Sequence, residues 1–318
     1  MAHNLTNLVQ TKVLPGLYKQ YIWGAQTAWM ESNVAKLQGT YKGGKTMTFT
    51  EFTVQGMANY DKILGYVTGY ADGAKKDYTM QVDRGRRFLI DYVDNDDTGF
   101  ILSVANILKE YFAKWVIPEI DCYRISKMFS IVSTENPSGI DATDIEKETI
   151  TLTLADDLTK LRDVYGEGVQ FSILMSGFTR DYFGREWIHN LDYVNMNNGL
   201  VNTKVRAIDG NPIIVMPSAR LKTAYNFLDG LTAGQEAGGF SAAAGAKDIK
   251  WIIVPTGGPV AVMKQDKVRV FGPDVYQPSN SWAVDHRVYH DLWMLPNDYN
   301  ATLIRTGDIV SAVADAEA

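Results

Sequence analysis

Residues Gly39 to Thr46 read GTYKGGKT and satisfy G-x-x-x-x-G-K-[ST], the spacing with which a loop wraps nucleotide phosphates. That chemistry needs a buried strand before the loop and a helix after it, so that amide N–H groups and the helix dipole meet the phosphates. Glu31–Leu37 instead reads as polar and helical, and Thr46–Val54 (TMTFTEFTV) as a strand. Lys45 would project from that strand toward nothing, although Phe88 to Asp91 (FLID) could mimic the strand that supplies a magnesium-side carboxylate. The motif reads as a turn at the base of a loop.

His286 and His290, flanked by Asp285 and Asp291, invite a metal reading. Strand alternation puts both on one face with Val284, Val288 and Leu292, and no third histidine or cysteine ligand is near in sequence. They read as structural histidines. Cys122 is the single cysteine, so no internal disulfide forms, and its apolar helical setting points to a packed thiol. Asp94, Asp96 and Asp97 could pair for acid–base work, but an acidic helix start explains them without further assumption. No G-x-S-x-G, C-x-x-C or G-x-G-x-x-G stands in the chain. No catalytic, metal or cofactor residue is assigned, and an enzyme is not expected.

Several elements hold these residues. Met1 to about Leu37 carries scattered apolar anchors, including Trp23 and Trp29, and reads as an arm that needs another surface to bury them. Two extended runs, Thr46–Val54 and Tyr78–Val82, enclose a glycine-punctuated middle and suggest a long excursion from the domain body. The phase shift before Phe52 and Val54 predicts a bulge or a twist. From Thr98 the apolar spacing turns helical, and Pro118 predicts a kink near Val116, with Glu119 to Phe129 as a second piece. Ser133–Lys147 reads as a polar domain boundary. A helix at Leu154–Tyr165, a strand at Val169–Met175, mixed helical sequence to about Leu191 and a hairpin turning at Asp209-Gly210 follow. Gly234–Gly245 reads as a mobile loop. Strands are predicted at Trp251–Val254, Val260–Met263, Val268–Phe271, Trp282–Leu295 and Ala301–Arg305, before a fraying acidic tail, 311–318.

The 318 residues suffice for about two domains, and 46% hydrophobic content excludes a disordered chain. No apolar run approaches the ~20 residues of a membrane span, and the first residues lack an apolar signal core. A net charge of −6 argues against a protein that coats or reads nucleic acid, which needs a basic face.

The block from Tyr78 to Ser130 carries Asp83-Arg84-Gly85-Arg86, then Asp91, then Pro118-Glu119-Ile120-Asp121-Cys122-Tyr123-Arg124. In order and wording this resembles the major capsid proteins of tailed bacteriophages. There a DRGR…D segment ends an extended loop and a spine helix with PEID-x-Y/F-R follows. Ile208–Ile214, Ile249–Pro255 and Arg287–Asp291 resemble recurrent segments of the same group, less specifically. The match covers nearly the whole chain.

The resemblance implies a mixed α/β, Hong Kong 97-like fold. Its expected parts are an N-terminal arm (1–37), an extended β-hairpin loop (38–82), a peripheral domain with a spine helix (83–132), an axial domain with a central sheet (133–275), a return to the peripheral domain (276–310) and a tail (311–318). It implies a shell subunit that self-associates into pentamers and hexamers of a virion head around double-stranded DNA held by weak, non-specific contact. Further implied partners are a portal, a decoration protein and a separate scaffolding protein, with assembly in the host cytoplasm and no membrane. Self-cleaving members carry a long helical pro-region, whereas this chain starts almost at the arm. Arg84, Arg86, Arg87, Asp94, Asp96, Asp97, Trp23 and Trp29 become candidate subunit-interface residues. For the arginines a local pairing with Asp83 and Asp91 stands beside the inter-subunit reading, and both stay open. An encapsulin-like compartment and a nucleotide-binding enzyme are the alternatives.

Overall fold

The computed structural model describes residues 24–36, 45–63, 65–91, 104–187, 192–198, 201–208, 210–276 and 278–310. Trp23, Asp94, Asp96, Asp97, the phosphate-loop residues Gly39–Gly44 and the tail 311–318 lie outside them.

A 3₁₀ segment at Ala28–Lys36 precedes β1 (Thr46–Val54), β2 (Ala71–Thr79) and β3 (Val82–Asp91). Next come α1 (Val104–Tyr111), a π-turn at Phe112–Val116 and α2 (Ile117–Glu135). Short β4 (Ile140–Asp141) and β5 (Ile145–Glu146) lead to α3 (Ile150–Tyr165), β6 (Phe171–Ser176) and α4 (Gly177–Trp187). After them run β7 (Asp192–Asn198), β8 (Val201–Ile208), β9 (Asn211–Met216), β10 (Tyr225–Phe227), β11 (Phe240–Ala242) and β12 (Trp251–Pro255). The chain continues through β13 (Val260–Phe271), β14 (Ser281–Trp293), α5 (Pro296–Asn300), β15 (Leu303–Arg305) and β16 (Ile309–Val310).

Two sheets organise the molecule. One has the order β4-β15-β12-β6-β9-β8-β7, and the other the order β13-β14-β3. The rod from Val104 to Glu135 packs against both. Its first part, with Leu108, Phe112, Val116, Ile117 and Ile120, buries Ile90, Trp282, Val284 and Val288 of the three-stranded sheet. Its second part, with Ile125, Met128 and Val132, packs on Leu174, Ile214 and Ile252 of the larger sheet. The opposite face of that sheet is covered by α3 and α4 through Leu154, Leu158, Leu161 and Phe183. Coverage on both faces explains why β6 is buried at every position and reads as one apolar run.

Several expectations are corrected. At the position of the kink expected near Val116 stands the π-turn, after which the helix continues: the Ile117 N–H donates to the Phe112 carbonyl five residues back, and Val116 and Ile117 keep helical angles. The widened turn makes room where a proline ring would otherwise clash with the preceding turn, and α2 runs on to Glu135, past Phe129. No bulge interrupts β1, which pairs continuously with β2 from Thr46↔Thr79 to Val54↔Ala71. The ladder also extends β2 back to Ala71, through a lysine-rich stretch without alternation. Val260–Phe271 is one strand, because β14 pairs with it along its length and absorbs its polar middle with a register shift at Met263/Gln265. The presumed mobile loop holds β11, paired with β10, and the Leu228 N–H donates to the Gly239 carbonyl. Glycines at positive φ (Gly230, Gly234, Gly238, Gly239) permit the turns between them. The hairpin between β8 and β9 forms as expected, with Ile208 opposite Asn211 and Gly210 at φ 77°, while Asp209 lies outside the described residues.

Inside the larger sheet, buried Asp157 accepts from Trp251 Nε1 at 3.1 Å and from Arg305 Nη2 at 2.6 Å. Asp157→Ala leaves Arg305 with Asp141, 2.9 Å away, as its carboxylate partner and strands the indole N–H, so urea unfolding will show a loss of about 1–3 kcal/mol. Lys160→Ala, which removes a largely exposed partner 3.6 Å from the same carboxylate, will change stability by less than about 1 kcal/mol.

Candidate assembly surfaces

Polar side chains do not belong in the middle of a packed rod unless each finds a partner. Those of Glu119–Arg124 all do. Buried Asp121 accepts from the Gln26 amide (3.2 Å), the Thr27 amide (3.1 Å) and hydroxyl (2.6 Å), and Arg220 (3.0 Å). Burial pushes its pKa up, while Thr27 and the two neighbouring guanidinium groups pull it back. Arg124 reaches the Thr27 carbonyl at 3.1 Å and Glu31 at 2.7 Å, pinning residues 24–36 to the rod. Trp29 is therefore buried in the core of its own chain and does not wait for another surface. The Tyr123 hydroxyl donates to Asp291 at 2.7 Å, and Glu119 pairs with Arg84.

Asp291 leads to the root of the β1–β2 ribbon. Its other oxygen accepts the Gln81 amide at 3.0 Å, and the Tyr289 hydroxyl donates to the Met80 carbonyl at 3.2 Å. Met47, Met80 and Tyr78 sink into Val260, Val262, Tyr289 and Trp293. Beyond this root the ribbon stands clear of its own chain. Phe52 is 77% exposed, Val54 70%, Ile63 93% and Tyr66 89%, with Met57, Tyr60, Val67 and Tyr70 also exposed. The tip is shaped: Asp61 and Gly65 exchange backbone hydrogen bonds, Asp61 caps the Ile63 amide, and Tyr60 and Tyr66 stack edge to face. Sequence reading placed the excursion but missed these aromatic and aliphatic side chains as its functional content. Their density between Phe52 and Tyr70 was the available signal.

The three arginines bond within the chain, though not to the expected Asp83 and Asp91 carboxylates. Arg84 turns inward to Glu119 and the Leu228 and Gly239 carbonyls (3.0 and 3.2 Å), tying β3, the rod and the 228–239 turn together. Arg86 reaches the Glu236 carbonyl. Arg87 pairs with Asp285 at 2.5 Å across the sheet, holding that carboxyl below the usual range, while Asp83 goes to Arg287. Gly85 is required by the sheet: a Cβ there would lie 2.6 Å from the His286 carbonyl oxygen.

A cleft of about 420 Å³ lies between β3, the rod and the 228–239 turn. Its ionic groups are engaged: Arg84 by Glu119, and Asp229 by the Leu231 and Thr232 amides. A more apolar recess of about 380 Å³ is lined by Phe88, Ile107, Tyr111 and Trp115, with Glu110 paired to Lys114 at its rim. His286 bonds Asp266 at 3.0 Å, while His290 lies edge-on to Tyr123. Among the described residues no group of three His, Cys, Asp or Glu side chains could hold a metal ion. Burial pushes the Cys122 thiol up to about 12, the opposite of an activated nucleophile. Thr46 opens a strand, so the helix that a phosphate loop needs does not follow Lys45. Among the described residues no helix is long and apolar enough to cross a membrane.

No protein-family model and no curated protein matches this chain. Solved structures do. A chain of the bacteriophage PhiM1 mature capsid matches with a TM-score of 0.53 at 13% identity, covering 83% of this chain and 82% of that one. The capsid structure of Staphylococcus phage Andhra matches at 0.51 and 12% identity, covering 83% and 81%. A chain from Gordonia phage Cozz matches at 0.51 and 14%, covering 88% and 87%. This chain has the fold of tailed-phage capsid proteins, the Hong Kong 97-like mixed α/β architecture.

Burial, with added repulsion from Arg124 and Arg84, keeps His290 neutral and lowers its pKa to about 3. In the unfolded chain the imidazole titrates near 6.5, so between these values the unfolded state holds the extra proton. The stability that neutral His290 confers is complete above about pH 6.5 and lost as pH falls toward 3. In His290→Gln, the slope of unfolding free energy against pH between 6 and 4 will flatten by about 1.4 kcal/mol per pH unit, read from urea titrations.

Proposed function

We propose that this chain is a major capsid protein of a tailed phage, copies of which form pentamers and hexamers of an icosahedral head around double-stranded DNA. One observation carries the reading: the ribbon and its loop expose large apolar side chains from Phe52 to Tyr70 beyond a firmly anchored root. An isolated two-stranded ribbon is marginal in water, and so large an apolar end marks an interaction surface. The structures that share this fold are phage capsids, which supports reading that surface as a contact between copies. A net charge of −6 suits a container that should not adhere to its contents.

Within this proposal the arm, loop, peripheral, axial and return segments keep the division 1–37, 38–82, 83–132, 133–275 and 276–310. Arg86 and Arg87, with Trp23, Asp94, Asp96 and Asp97, contribute contacts between subunits. A scaffolding protein, a portal and a decoration protein are the further partners, assembly takes place in the host cytoplasm, and the finished shell is part of the virion.

Electron microscopy of the expressed protein, alone and with a co-expressed scaffolding protein, tests the reading. Large closed shells that need the scaffold support it, small autonomous shells indicate an encapsulin-like compartment, and no shells in either case overturn it. Replacing residues 52–73 by Asn-Gly joins the paired positions Glu51 and Ala74 and spares the root. That variant will fold with its melting temperature retained and will not assemble; normal shells from it would count against the role of the ribbon.

A further inference from the structure

In the ribbon, paired residues share a face, so the continuous register assigns the positions of Thr46–Val54 and Ala71–Thr79 to one face or the other. One face carries Met47 and Tyr78 at the root and Thr53, Asp72 and Ala74 farther out. The other carries the polar pairs Thr46–Thr79 and Thr48–Asp77 near the root, joined by side-chain hydrogen bonds of 3.0 and 2.5 Å. Farther out, the same face carries Phe52 and Val54 beside Gly73 and Ala71. The apolar set therefore changes sides along the ribbon. A bulge would have undone this change, since one extra residue returns the alternation to its first phase. The ladder contains none.

We propose that the face bearing Phe52 and Val54, opposite to the face that Met47 and Tyr78 clamp to the subunit's own domain, is the docking face for a second copy of this chain. The inference rests on the shell-subunit reading and adds which side of the ribbon the neighbour occupies. Among the described side chains, Met47, Tyr78 and Met80 are the ribbon residues packed on the cluster of Val260, Val262, Tyr289 and Trp293, whereas Phe52 and Val54 stand exposed. The charges of the projecting end also favour a protein surface of this chain's own kind. Lys62, Lys75 and Lys76 are matched by Asp61, Asp72 and Asp77, so no basic face exists for a nucleic acid or an anionic membrane. The complementary feature is present on the same polypeptide. The apolar recess of Phe88, Ile107, Tyr111 and Trp115 lies toward the far end of β3, about 20 Å of strand from the ribbon root. A projecting apolar end and an apolar recess at different places on one chain define a head-to-tail contact between copies, which closes into rings.

The test compares matched charges on the two faces. Phe52→Lys with Val54→Lys will lower the yield of assembled shells by about tenfold or more, with circular dichroism and melting temperature unchanged. Thr53→Lys with Ala74→Lys, on the clamped face but beyond the clamp, will assemble within about twofold of the parent chain. Equal tolerance of both pairs, or greater loss from the second, overturns the face assignment while leaving the shell reading intact. A parent chain that never self-associates overturns the shell reading itself. A second measurement does not depend on the lysine variants folding. Because Cys122 is buried, Val54→Cys and Thr53→Cys each add the one accessible thiol among the described residues. Maleimide will label both in free subunits, and on assembly Val54→Cys will be protected while Thr53→Cys stays reactive. Equal labelling of the two in assembled shells rejects the proposal.

Discussion

The turn of helix from Pro118 to Arg124 has to bury charged and polar side chains in the middle of a rod covered by two sheets. That requirement holds the molecule together. A buried ionic group left without its partner costs several kcal/mol, so every element that supplies a partner is held where the rod needs it. Asp121 and Arg124 hold residues 24–36, Glu119 holds β3 through Arg84, and Tyr123 reaches the ribbon root through Asp291. Arg84 extends the connection to the 228–239 turn through two carbonyls. A shift of the rod would thus be felt at the N-terminal segment, the three-stranded sheet and the ribbon at once.

The same connections occupy residues whose types could do chemistry. Arg84 and Glu119 neutralise each other, His286 is bonded to Asp266, and His290 is kept uncharged by its surroundings. Cys122 lies in a setting that disfavours its thiolate. Ion pairs on the outer side of the sheet, Arg87–Asp285 and Arg287–Asp83, carry exposed guanidinium groups, and solvent screens them. Among the described residues, the densest run of exposed apolar side chains projects on the ribbon, from Phe52 to Tyr70. Rigidity at the root and exposure at the end are two parts of one arrangement: a firmly seated lever with a sticky tip suits association between subunits.

Much of the architecture was legible in local pattern. The buried stripe through Leu108 and Phe112, the stop at Gly166 and the tight turn between β8 and β9 depend on near neighbours and form as expected, whereas Trp115, expected in the same stripe, is 46% exposed. Tertiary pairing changed the rest. Lys264 to Lys267 has no strand-like alternation, yet it lies in β13 because β14 runs beside it. Gly234–Gly245 has loop composition, yet it is ordered by pairing between β10 and β11 and by Arg84 and Arg86 beneath it. Trp29 looked like an anchor for another surface and is buried by its own rod, since nothing local records that Thr27 binds Asp121.

By itself the sequence determined that the chain is mixed α/β, that it throws out an extended loop before a long helix, and that the DRGR and PEID segments belong together. It could do so because periodicity, turn chemistry and motif wording are properties of adjacent residues. Only the tertiary structure decided what those segments do. Ion-pair partners, burial and the face on which a side chain emerges are set by residues far away in the chain. Arg84, Asp121 and Arg124 of those motifs therefore proved to be internal couplings. The phase shift before Phe52 proved to be a change of face, visible only once the register between β1 and β2 was known.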